Sequence, residues 1–175
     1  MNLIEVLNEH RRDIENGWIR SILETYPPDS VKFFARQKDR FQNPVGQAIS
    51  NGVAILLDEL LADFNTAQIE SAVDDIVRIR SIQDFTPSQA VEFIFILKKI
   101  IRDTIGNSII THNLVDELVD FENRIDRMAL IIFDTYSKCR EQVYEIRIRQ
   151  ARAGGMKLIE RLNKKYGIPD PDSGL

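Results

Sequence analysis

The chain has 175 residues, 43% hydrophobic and 29% charged, enough to bury one core without disulfides and too apolar for a disordered chain. One Cys and two His exclude an intramolecular disulfide and leave few soft ligands for zinc, copper or an iron–sulfur cluster. The net charge of -4 is unevenly spread: residues 1–137 carry 14 Lys and Arg against 22 Asp and Glu, whereas residues 138–166 carry 9 basic against 3 acidic residues, a basic arm on an acidic body.

The punctuation is helical throughout, and no segment alternates as a strand does. Leu3 to Tyr26 places Leu3, Val6, Leu7, Ile14, Trp18, Ile22 and Tyr26 near helical spacing, and Pro27-Pro28 ends the run. Asp29-Ser30 predicts the cap of a short helix through Arg36, carrying Val31, Phe33 and Phe34, before a polar connection over 37–42. Asn43-Pro44 is a strong start signal: Asn caps well, and Pro in the first turn loses no useful donor. The helix it opens is expected to reach Phe64. It carries two internal glycines, Gly46 and Gly52, each costing about 1 kcal/mol against Ala, which points to close approach by a neighbouring backbone.

Asn65 with Gln68 has capping-box spacing and starts a helix to about Ser81, with Ile69, Ala72, Val73, Ile76 and Ile79 inward. Thr86-Pro87-Ser88-Gln89 is the clearest start in the chain, a capping box with Pro at the first position. Its helix is expected to stop at Gly106-Asn107. The last major helix is predicted from His112-Asn113 to Arg152, about 60 Å at about 1.5 Å per residue. Its apolar seam runs Leu114, Leu118, Phe121, Ile125, Met128, Ile132, Tyr136, Cys139, Val143, Ile146, a heptad pattern with one stutter. Ala129, Leu130, Ile131 and Phe133 make its middle apolar on other faces, so that part reads as core. Beyond Cys139 the stripe narrows, which predicts a partner helix and makes Tyr136, Cys139, Val143 and Ile146 the candidate dimer interface. Gly154-Gly155 is expected to break the chain before a short helix from Met156 to Tyr166 and a loose tail. The domain reading is therefore 1–152 as one helical domain and 153–175 as a short basic helix and tail.

Acidic residues interrupt the N-terminus at once, unlike a signal peptide. The most apolar stretch, Val91 to Leu97, ends at Lys98-Lys99, far short of the roughly 20 residues of a membrane span. No membrane role is expected, and a cytoplasmic protein is. Nor do the residues assemble a catalytic or cofactor centre. His10 and His112 fall early in the first helix and in the turn before the last, neither a place for a heme ligand, and no Glu-x-x-His appears for a di-iron bundle. Gly154-Gly155 lacks the rest of a phosphate loop, and Cys139 on a helix seam reads as a small buried hydrophobe. The acidic pairs Asp58-Glu59, Asp74-Asp75 and Asp116-Glu117 read as solvated faces. The expectation is no enzyme, no cofactor and no metal. The pI of 5.3, with only Tyr144 and Tyr166 interleaved in the arm, disfavours nucleic acid and leaves it the third reading.

Several segments together resemble one family. Phe41-Gln42-Asn43-Pro44-Val45-Gly46, the run from Ile69 to Ala90, and Ile125 through Tyr136 with Arg140 are similar to RsbRD-like N-terminal domains, over roughly residues 1–150. The resemblance implies an all-α, globin-like helical bundle with a long C-terminal helix, without heme. It also implies a sensory or regulatory module of the stressosome type, usually dimeric, joined by a helix to a STAS output domain. At 175 residues a STAS domain is not expected, so the signal would pass to a separate protein. Asn43, Pro44, Gly46, Thr86 and Pro87 read as structural signature residues rather than ligand contacts.

The leading expectation is thus a non-catalytic regulatory, sensory or scaffold protein, acting as a homodimer on a further regulatory protein. The alternative is a small-ligand sensor with an apolar pocket lined by Trp18, Phe33, Phe34, Phe93, Phe95 and Phe121. The third is nucleic-acid binding through the basic arm.

Overall fold

A computed structural model describes residues 1–26, 43–83 and 85–166 of the chain. Among them lie six helices and no strand: α1 (Leu3–Glu9), α2 (Arg11–Leu23), α3 (Pro44–Leu61), α4 (Thr66–Ile82), α5 (Pro87–Thr111) and α6 (Val115–Tyr166). The expected helix over Val31, Phe33 and Phe34 lies outside the described residues.

The caps follow the sequence signals closely. The Asn43 side chain accepts the Gly46 N–H at 2.8 Å, and Asn65 accepts that of Gln68 at 3.2 Å. Thr86 and Gln89 form the reciprocal box, at 3.3 Å and 3.0 Å. A second box, Asn2 with Glu5, opens α1, and Glu117 on α6 accepts the Leu3 N–H at 2.7 Å.

Stops are less well signalled. The run from Leu3 divides at His10, whose backbone leaves the helical region (φ -99°, ψ 11°). Helix α5 continues past Gly106 to Thr111. A Cβ on Gly106 would meet nothing within 4 Å, so that glycine has only its intrinsic cost and does not end the helix. The true stop is Asn113, left-handed at φ 53°. Leu114 N–H donates to the Ile109 carbonyl at 2.9 Å and Asn113 N–H to that of Ile110 at 3.3 Å, a Schellman end that buries Leu114 and Ile109. Gly154-Gly155 likewise fails to break α6, which runs on to Tyr166; both glycines face open space between good helix formers.

The chain forms two compact units, Met1–Cys139 and Arg140 onward, and α6 contributes to each. In the first, α3 packs on α4, and α2 packs on both α5 and α3. The α3–α4 crossing needs Gly52: a Cβ there would stand 2.8 Å from Ile76 Cδ1 and 2.9 Å from the Ala72 carbonyl oxygen. Gly46 is different, since a Cβ on it would collide with the Asn43 side chain that caps its own helix. The core holds Trp18, Leu56, Phe93, Leu97, Ile125 and Ile132, all fully buried. Trp18 Nε1 donates to the Phe93 carbonyl at 2.7 Å, so the largest core side chain is also satisfied as a donor.

The first half of α6 is tied down by polar contacts. Arg102 makes a two-pronged ion pair with Glu122, at 2.7 and 2.6 Å, and Lys98 meets Asp126 at 2.7 Å. Arg124 donates to the Glu59 and Ala62 carbonyls, covering the C-terminal end of α3. There Phe64 holds a left-handed backbone (φ 60°) beneath the guanidinium groups of Arg124 and Arg127, 5.7 and 4.9 Å from its ring.

The second unit, as described, is the remainder of α6. Only Arg140, Val143 and Asn163 are half-buried, and every other residue from Glu141 to Tyr166 is exposed. Arg149 pairs with Glu145 at 3.0 Å, and Arg140 donates to the Tyr144 hydroxyl at 3.0 Å.

Candidate interaction surface

The four candidate interface residues separate. Tyr136 and Cys139 are buried in the first unit, so they serve the core. The Tyr136 hydroxyl donates to the Phe85 carbonyl at 2.6 Å, tying α6 to the residue just before the Thr86 cap. Burial pushes the Cys139 thiol up from its ordinary value, assisted by Asp74 and opposed by Arg78, which keeps it protonated. Val143 is half-buried and Ile146 exposed, so only these two remain available to a partner.

A correction concerns the middle of α6. Ala129 is buried and Ile131 packs partly on the core, but Leu130 and Phe133 are 66% and 44% exposed. The helix turns about 100° per residue, so one stretch cannot bury every side. Leu130 and Phe133, with Phe95 on α5, line an apolar groove of about 650 Å³ whose floor includes Val91 and Ala129. Glu92, Pro87 and Ser88 complete it. The signal was present: Leu130 and Phe133 lie off the seam that carries Met128 and Ile132.

The aromatic residues assigned to a ligand pocket also separate. Trp18 and Phe93 fill the core with ring centroids 6.5 Å apart, Phe121 is buried, and Phe95 faces the surface groove. Phe33 and Phe34 lie outside the described residues. His10 lies at the α1–α2 junction and His112 at the C-cap of α5. Among the described residues no three His, Cys, Asp or Glu side chains cluster as a metal site would require.

Arg80 was missed. It is fully buried on α4, on the stripe of Ile69, Val73 and Ile76 where the pattern calls for an apolar residue. Its donors reach neutral oxygens: the Gln89 carbonyl at 2.9 Å, the Ala90 carbonyl at 3.5 Å and the Thr25 hydroxyl at 3.0 Å. Nε finds no hydrogen-bond acceptor among the described residues. The rings of Tyr26, Phe85 and Phe93 surround the guanidinium at 5.5, 4.9 and 4.9 Å. Burial pushes the Arg80 guanidinium below its ordinary value, against the opposing influence of Tyr26 and Glu92.

These features define a class: an all-α bundle ending in a long helix, with apolar side chains exposed on α5 and α6. The chain belongs to the family described as the RsbT co-antagonist protein rsbRD N-terminal domain, which it matches over residues 13–151. That family is one of regulatory or sensory domains. An uncharacterized protein of Archaeoglobus fulgidus is 21% identical over 145 residues, covering 82% of this chain and 85% of its own. No solved structure matches the chain. No helix among the described residues is long and apolar enough to cross a membrane.

Proposed function

We propose that this protein is a non-catalytic regulatory module of the cytoplasm that acts through protein–protein contacts as a homodimer, relaying a signal to a further regulatory protein. The observation that supports this reading best is the row of exposed apolar residues on α6. Tyr144, Ile148, Leu158, Leu162 and Tyr166, each at least 43% exposed, share one side of the helix, and exposed Ile146 lies on the opposite side. A helix that leaves such residues in water gains by burying them, at about 25 cal/mol per Å² of apolar surface. Family membership supports the regulatory part of the reading.

Light scattering on the intact chain at micromolar concentration tests it. The expected mass is twice the chain's 20.2 kDa. A mass equal to one chain contradicts self-association.

A further inference from the structure

We propose that the groove between α5 and α6 is a binding site for a small organic cation, a protonated amine carried on an apolar body. The proposal rests on the regulatory part of the reading above, for which it names the chemistry of the signal, and it is independent of oligomeric state.

The groove lies wholly within the first unit. Its volume of about 650 Å³ falls among those of small-molecule sites, about 300–1,000 Å³. Buried Val91 and Ala129 form the floor, and the exposed side chains of Phe95, Leu130 and Phe133 stand around it. An apolar body that fills the space takes these three out of water, a gain of about 25 cal/mol per Å² of apolar surface.

The polar groups decide what that body carries. Glu92 is the one ionisable side chain of the lining, and Ser88 supplies its one hydroxyl. Glu92 is exposed and makes no ion pair among the described residues. Arg80 feels it only through space, its own donors being engaged by the Gln89 and Ala90 carbonyls and the Thr25 hydroxyl. Arg127, one turn before Leu130, stacks on Phe64 at 4.9 Å. A carboxylate accepts hydrogen bonds and donates none, and an aromatic ring presents a negative face. An anion therefore meets no Lys, Arg or His side chain in this lining. An ammonium group meets Glu92, the Ser88 hydroxyl and the rings of Phe95 and Phe133. The apolar floor selects a hydrocarbon body over a bare metal ion.

The place of the groove suits a signal. Leu130 and Phe133 precede Tyr136 on α6, and Pro87 follows Phe85 by two residues. A ligand there contacts both elements that the Tyr136–Phe85 hydrogen bond ties together, and α6 is the helix common to both units.

Three probes of matched shape test the site on the intact chain: 4-phenylbutylamine, protonated at pH 7, neutral 4-phenylbutanol and anionic 4-phenylbutyrate. Binding is read from the methyl resonances of Val91, Ala129 and Leu130. The amine is expected to shift them with a dissociation constant of about 0.1–1 mM, roughly fivefold tighter than the alcohol, with the anion weakest. Glu92→Gln should remove most of the amine's advantage and leave the alcohol unchanged, whereas Phe133→Ala should weaken all three. Both side chains are exposed, so the native helical content is expected in each variant, and circular dichroism checks it. The anion binding as tightly as the amine, an amine advantage undiminished in Glu92→Gln, or lining signals that no probe moves overturns the site. A Phe133→Asp chain whose mass by light scattering falls from two chains to one assigns the groove to a second copy, which overturns the ligand site and leaves the homodimer reading standing. A wild-type monomer that binds the amine as described does the reverse.

Discussion

Gly52 on α3 lies so close to Ala72 on α4 that a Cβ at Gly52 would stand 2.9 Å from the Ala72 carbonyl oxygen. Backbone cannot yield there as a flexible side chain would. Gly52→Ala is therefore expected to destabilise the fold by about 1–3 kcal/mol, although Ala is the better helix former by about 1 kcal/mol. Gly106→Ala, which meets nothing, is expected to stabilise by about 0.5–1 kcal/mol. Urea unfolding monitored by circular dichroism reads both, and equal effects at the two sites would refute the close-approach account.

Arg80 gives a prediction that runs against simple charge conservation. Its planar guanidinium is stacked among Tyr26, Phe85 and Phe93 and bonded to neutral oxygens. Arg80→Lys keeps the charge but loses the flat stacking surface and the forked donors, and should cost about 3–5 kcal/mol. Arg80→Met removes the charge together with its desolvation penalty, and the Gln89 and Ala90 carbonyls remain within α5. It should cost clearly less than Lys. A Lys variant as stable as wild type in urea unfolding would show that charge alone matters here.

Asn113 holds the left-handed position that ends α5. Asn113→Gly should raise stability, whereas Asn113→Ala should lower it by about 1 kcal/mol, since Ala has a Cβ that Gly lacks and no polar side chain like that of Asn to bond the local backbone. The two melting temperatures should bracket that of the wild type. An Ala variant melting above the Gly variant would contradict the Schellman assignment.

The Cys139 thiol offers a pH-dependent readout. Burial raises its folded-state value above the unfolded one, so the neutral thiol's contribution to stability is complete below the unfolded value and is lost as pH rises through the folded one. Stability should therefore fall on the alkaline side relative to Cys139→Ala. Reaction with a chromogenic disulfide at pH 8 should be at least tenfold slower for the native chain than for the chain in 6 M guanidinium. Equal rates would mean that Cys139 is not buried.

Helix starts were largely legible in the sequence because a start is a local chemical event: Asn43, Asn65 and Thr86 each carry an oxygen that reaches an N–H three residues on. Stops were not. Gly106 and Gly154-Gly155 have the composition of stops, but an isolated glycine costs too little to end a helix whose neighbours favour it. Asn113 ended α5 instead, through a backbone conformation that composition does not specify. The long seam of α6 was readable, yet it could not say where burial within the chain stops. Tyr136 and Cys139 belong to the core while Ile146, in the same repeat, faces water. Arg80 stayed hidden for a related reason. Its burial depends on rings contributed by three separated segments, and periodicity on α4 alone does not bring them together.

The measurement that bears most directly on the account is sedimentation equilibrium of the wild-type chain beside an Ile148→Glu, Leu158→Glu double variant. Both substitutions fall on exposed residues of the second unit, so the helical content of the folded chain should be unchanged. The account predicts a dimer of two 20.2 kDa chains for the wild type and a monomer for the variant, with the dissociation constant raised at least a hundredfold. A wild-type monomer, or a variant that dimerises as tightly as the wild type, would contradict it.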